Sequence, residues 1–125
     1  MIQIERWDSG KVIFEANVST VKEAVELAVK QKISLVYTNF RRASLQGADL
    51  QGADLLGADF TKADLQGANL RGVNFRAAYL RGADLRGADL RGAIFYYGQL
   101  EDVDFRGAKL EGVDLTNADI RWAWF

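Results

Sequence analysis

From Leu35 to the last residue, every fifth position holds a large apolar side chain: Leu35, Phe40, Leu45, Leu50, Leu55, Phe60, Leu65, Leu70, Phe75, Leu80, Leu85, Leu90, Phe95, Leu100, Phe105, Leu110, Leu115, Ile120 and Phe125. Two residues before most of them stands a small one, such as Ala48, Ala53, Ala58, Val73, Ala83 or Ala93. A period of five fits neither the 3.6-residue helix nor the two-residue strand, so no ordinary amphipathic element can bury this pattern. The chain must instead turn once per unit. If each unit is one side of a closed coil, the Leu or Phe and the small residue point inward, and the other three positions face solvent or form the corner. Two large inward side chains per side would overfill so narrow an interior. Glycine, frequent at the end of the unit, suits a corner with unusual backbone angles.

The unit Ala-(Asp/Asn)-(Leu/Phe)-X-Gly, seen plainly in Ala48-Asp49-Leu50-Gln51-Gly52 and Ala83-Asp84-Leu85-Arg86-Gly87, resembles the motif of the pentapeptide-repeat family. The resemblance covers residues 33–125 and implies an all-β solenoid, a right-handed quadrilateral β-helix in which four units make one coil. Residues 20 apart then stack in adjacent coils about 4.8 Å apart, a short rod of roughly five coils and about 20–25 Å. In that register Phe40 stacks on Phe60, Phe75 on Phe95 and Phe105 on Phe125.

Residues 1–32 break the rule. Ile2 and Ile4 alternate with polar neighbours, as do Val12, Phe14 and Ala16 after Asp8-Ser9-Gly10, which predicts a β-hairpin. Thr20 and Glu23 form a capping-box pair, and Val21, Ala24, Val25, Ala28 and Val29 make an apolar stripe, which predicts a helix from about residue 20 to 31. Because the first coil of a solenoid exposes a strand edge and an apolar interior, hairpin and helix are expected to form an N-terminal cap over it. Such a leader looks like those of bacterial and phage-associated members of the family.

Several chemistries are excluded by composition. Without cysteine there are no disulfides, thiolate metal sites or thiol nucleophiles, and without histidine no imidazole catalysis. The recurring aspartates (Asp49, Asp54, Asp59, Asp64, Asp84, Asp89, Asp104, Asp114, Asp119) share one motif position, which argues for a structural role over catalysis. Glycines recur at corners and never cradle a phosphate before a helix. The chain is therefore expected to be no enzyme and to carry no cofactor or metal. A net charge of −1 and the lack of a membrane-length apolar run predict a cytoplasmic protein that binds neither nucleic acid directly nor membrane. Arg71, Arg76, Arg81, Arg86 and Arg91 fall on different sides and should be paired with nearby acids, as Asp84 beside Arg86 and Glu101 over Arg81.

Two surfaces depart from the motif. Val36, Leu56, Arg76, Tyr96 and Thr116 form one outward column, flanked by Tyr37, Ile94 and Tyr97. The patch of Val36, Tyr37, Leu56, Ile94, Tyr96 and Tyr97 is either a partner contact or tyrosines packed on their own corner. At the C-terminus, Trp122, Trp124 and Phe125 either plug the last coil or join two copies in a homodimer, the arrangement the family resemblance also implies. The leading expectation is a non-enzymatic protein-binding or structural scaffold with an unknown partner. The alternative implied by the resemblance is a DNA-mimicking binder of DNA gyrase or topoisomerase IV. That mimicry needs a strongly acidic rod, whereas residues 33–125 hold 12 acidic and 11 basic residues.

Overall fold

The structure, a computed structural model, describes all 125 residues. It opens with β1 (Ile2–Glu5), β2 (Val12–Ala16) and α1 (Val21–Lys30). The strands pair antiparallel, with Ile2 opposite Ala16 and Ile4 opposite Phe14. Their turn closes through the Gly10 N–H, which donates to the Arg6 carbonyl at 2.9 Å. Helix α1 starts where Thr20 Oγ1 accepts the Glu23 N–H at 3.1 Å and donates to the Glu23 carboxylate. It buries Ala24, Val25 and Ala28 in the same core as Ile4 of β1.

Beyond α1 the chain winds. Each five-residue side makes one parallel bridge with the unit 20 residues further on. Side A carries Asn39, Asp59, Tyr79, Gln99 and Asp119; side B carries Ser44, Asp64, Asp84, Asp104 and Trp124. Side C carries Asp49, Asn69, Asp89 and Lys109, and side D carries Asp54, Asn74, Ile94 and Asp114. The result is a right-handed quadrilateral β-helix. In a typical side the Leu85 N–H donates to the Asp104 carbonyl (2.8 Å), the Asp104 N–H to the Ala83 carbonyl (3.1 Å), and the Ala88 N–H to the Leu85 carbonyl (3.1 Å), closing the turn. The main chain is thus satisfied within and between coils, although no strand is longer than one bridge.

Inside, the Leu or Phe and the small residue of each unit are buried from Leu45 to Phe105. Phe75 and Phe95 stack at 5.0 Å, Phe105 and Phe125 at 5.1 Å, and Phe40 and Phe60 sit tilted at 5.0 Å, as the 20-residue register requires. Edge-on contacts of Phe60 with Phe75 (5.6 Å) and of Phe95 with Phe105 (6.4 Å) link neighbouring columns into one aromatic chain along the rod.

The two ends differ. At the first coil, the Asn39 N–H donates to the Glu5 carbonyl (2.7 Å), the Trp7 N–H to the Tyr37 carbonyl (2.9 Å), and the Asp49 N–H to the Glu26 carboxylate (2.8 Å). Glu5 and Glu26 therefore supply acceptors, and Trp7 a donor, to the main chain of the first coil. Ser34 and Asp54, which are 20 apart, form no bridge; the ladder starts at Asn39 and Asp59. A groove lined by Val29, Ile33 and Ala53 lies where that rung is missing. At the last coil, the N–H groups of Leu110, Leu115, Ile120 and Phe125 have no main-chain acceptor. Inward burial also fades there, with Leu110 and Leu115 half-buried and Ile120 and Phe125 exposed.

Candidate functional site

The repeated aspartates have a local task. Asp or Asn Oδ1 accepts the N–H two residues on, as in Asp59 with Thr61 (2.9 Å), Asp84 with Arg86 (3.1 Å) and Asn74 with Arg76 (3.1 Å). This side-chain turn fixes the chain as it enters each corner. Where arginine follows such an aspartate, it folds back onto it: Asp84 with Arg86, Asp89 with Arg91, Asp104 with Arg106, and Asp119 with Arg121, all at 2.6–2.7 Å. The Arg106 hydrogen bond, acting against desolvation, lowers the Asp104 carboxyl to about 2, and Arg91 holds Asp89 below the usual carboxylate range. Arginines preceded by another residue escape this pairing. Arg71 follows Asn69, Arg76 follows Asn74 and Arg81 follows Tyr79, and none has a carboxylate within ion-pair distance. Of the two expected pairs, Asp84–Arg86 forms. Glu101 and Arg81 do not meet, because Glu101 is nearly buried on its own coil while Arg81 is exposed.

The six patch residues do not form one surface. Tyr37 is half-buried, edge-on to Trp7 at 6.1 Å and covered by the Arg6 guanidinium at 5.0 Å. Trp7 also meets Tyr79 edge-on at 5.6 Å, and its Nε1–H donates to the Gly57 carbonyl at 2.7 Å. The Tyr37 ring lies over Gly57 so closely that an added Cβ would stand 2.5 Å from it. This cluster fastens the hairpin to the side of the first three coils. Val36 and Leu56 are half-buried beside it. Further along the same column, Arg76 lies over Tyr96 at 5.2 Å, Ile94 replaces the turn aspartate, and Tyr97 is 67% exposed. What is left is the exposed Tyr97 with the half-buried Ile94 and Tyr96 beside it.

Neither tryptophan lies across the open C-terminal end. Trp124 occupies the outward position of side B, where the Arg106 guanidinium covers it at 5.3 Å. Trp122 is a corner residue beneath Arg121 at 5.3 Å. Both are more than half exposed. Phe125 alone extends an inner column.

The corners carry a signal that sequence reading did not single out. Every second residue after the inward Leu or Phe, from Tyr37 to Trp122, has a left-handed backbone. On the B–C corner these residues are Gly47, Gly67, Gly87 and Gly107, and on the C–D corner Gly52, Gly72, Gly92 and Gly112. The two corners bordering side A are different. The D–A corner holds Tyr37, Gly57, Ala77, Tyr97 and Asn117, and the A–B corner holds Arg42, Lys62, Gly82, Asp102 and Trp122. A side chain in this conformation costs roughly 1–2 kcal/mol that glycine avoids. Side chains have been kept at these corners against that cost.

A filled solenoid of parallel single-residue bridges, with its repeated aspartates committed to turns, defines a repeat protein. The chain belongs to the pentapeptide-repeat family: the model of pentapeptide repeats matches residues 38–76, 68–107 and 99–125. Among solved structures, it is similar to HetL, a pentapeptide repeat protein involved in heterocyst differentiation regulation from the cyanobacterium Nostoc sp. strain PCC 7120. The two are 38% identical over 68% of this chain and 39% of that one, with a TM-score of 0.67. It is also similar to alr5209, another pentapeptide repeat protein of Nostoc (37% identity, 79% and 78% coverage, TM-score 0.52). QnrB1, a plasmid-mediated fluoroquinolone resistance protein, shares the fold at 22% identity, over 74% of this chain and 50% of that one, with a TM-score of 0.67. The chain thus spans half or less of the length of HetL and QnrB1. No curated protein sequence matches it. No helix is long and apolar enough to cross a membrane.

Proposed function

We propose that the protein is a cytoplasmic, non-enzymatic scaffold that works by binding proteins, beginning with a second copy of itself at the open C-terminal end. The observation that carries this is an exposed apolar cluster, Ile120, Trp122, Trp124 and Phe125, each 42–65% exposed. Exposed tryptophan and phenylalanine rings in one place favour a protein contact there. A two-fold contact would cover both faces at once. Light scattering of the parent should then give twice the chain mass at high micromolar concentration, and Trp122→Ser/Trp124→Ser should give the monomer mass. A parent that stays monomeric would sink this arrangement.

The Ile94, Tyr96 and Tyr97 patch is the proposed contact for a different protein. The regulatory role named for HetL supports binding as the mode of action. Replacing all three residues by serine should leave the thermal transition within a few degrees of the parent, because Phe75 and Phe95 beneath them stay packed. Affinity capture from the source cell should lose at least one interactor with this variant; an unchanged set would make the patch mere surface. The gyrase reading draws on the QnrB1 likeness, which is one of fold, while the paired and balanced charge of the rod speaks against DNA mimicry.

A further inference from the structure

Side A and its A–B corner bring four cations together, whereas the other unpaired arginines, Arg71 and Arg76, stand singly on sides C and D. Arg42 and Lys62 stand one coil apart on the corner, and Arg41 and Arg81 two coils apart on the side. Arg41, Lys62 and Arg81 line one open groove together with Thr61, Gly82 and Asp102, and all four cations are exposed. The Lys62 stem rests on Gly82, where an added Cβ would stand 3.3 Å from its Cγ.

Little nearby acid is free to neutralise them. Asp59 accepts from the Thr61 N–H and hydroxyl and pairs with Arg41 at 3.2 Å, which leaves the Arg41 guanidinium 53% exposed. Asp119 is engaged by Arg121, Glu101 is nearly buried, and Asp102 is the one unpaired exposed carboxylate in the groove. Arg42, Lys62 and Arg81 have no carboxylate within ion-pair distance. The two causes are independent. Tyr79 replaces the turn aspartate that would have drawn Arg81 back, and Arg42 and Lys62 occupy left-handed corner positions that glycine fills on the B–C and C–D corners. Backbone strain retained to hold two cations outward is a departure from the fold's own economy.

We propose that this corner is a docking surface for an acidic, extended segment of a protein partner. Charge complementarity selects the partner. An extended chain places side chains of one face about 6.6–6.8 Å apart, so its carboxylates can reach from Arg42 past Lys62 to Arg81 along the groove. The proposal rests on the reading of the protein as a protein-binding scaffold.

The probe is a fluorescein-labelled oligoglutamate, titrated with full-length protein by fluorescence anisotropy at about 0.01 M salt, where charges act over about 30 Å before they are screened. Arg41→Gln/Arg81→Gln combined with Arg42→Gly/Lys62→Gly should weaken binding about tenfold or more. The two glycines relieve corner strain, so that variant should melt no lower than the parent. Arg86→Gln/Arg91→Gln, which removes cations already paired with Asp84 and Asp89, should change binding less than about threefold. Equal affinity of the four-site variant and the parent would overturn the proposal. So would an oligothymidylate that binds the parent as tightly as oligoglutamate, since the surface would then be a general polyanion track. The variants that test self-association and the aromatic patch retain all four cations, so failure of the scaffold reading would appear there and failure of this corner here.

Discussion

Leu85→Asp is expected to abolish the cooperative thermal transition, while Arg86→Gln leaves it within a few degrees of the parent. Leu85 is fully buried in the middle of the rod, between coils that pair on both sides of it. Substitution removes about 1.5–3 kcal/mol of apolar burial and places a carboxyl group where no polar side chain can reach it, at a further cost of several kcal/mol. That is a large share of the roughly 5–15 kcal/mol that holds a domain of this size. Arg86, next in sequence, is exposed and gives up an ion pair with Asp84 worth about 0–1 kcal/mol. Circular dichroism melting of the two variants is the measurement. Equal transitions would mean that the inward and outward positions have been exchanged.

Phe75→Ala should lower stability by about 3–5 kcal/mol in urea unfolding, with the same change at Phe125 costing less than about 1 kcal/mol. Phe75 lies stacked on Phe95 and edge-on to Phe60, so its loss opens a cavity in the centre of the aromatic chain and removes two ring contacts. Phe125 contacts Phe105 on one face and is 61% exposed on the other. Similar losses at the two positions would show that the last coil is packed as tightly as the middle, against the gradient of burial from Phe105 to Phe125.

The periodic part of this architecture was legible in the sequence because each repeat states the same constraint again. Position within the unit decides which side chains point inward, and the 20-residue stacking brings Phe75 over Phe95. The hairpin and helix were legible for ordinary reasons, alternation in Ile2 and Ile4 and the Thr20–Glu23 cap. What escaped was contact between the periodic and non-periodic parts. Nothing in the order of residues announces that Trp7 will span the side of the rod to meet Gly57 and Tyr79. That contact withdrew Tyr37 from the expected patch. The free cations had a sequence signature that reading by class overlooked. An arginine two residues after aspartate folds back onto it, one after asparagine or tyrosine has no such partner in its own unit, and a corner residue other than glycine marks a side chain held against backbone preference.

The segregation of glycine onto two corners also bears on how such a rod changes over time. Exchanging a residue on the A–B corner alters neither the inner columns nor the bridges between coils, because the corner residue joins the ladder through its N–H, which every side chain but proline leaves in place. Each exchange carries the roughly 1–2 kcal/mol of left-handed backbone and couples to its neighbour one coil away where the two touch, as the Lys62 stem does at Gly82. Positions 42, 62, 82, 102 and 122 therefore behave as rewritable characters on a fixed pitch of about 4.8 Å, each legible together with the one beside it. Recognition can drift from one partner to another by single substitutions, with folding left almost untouched.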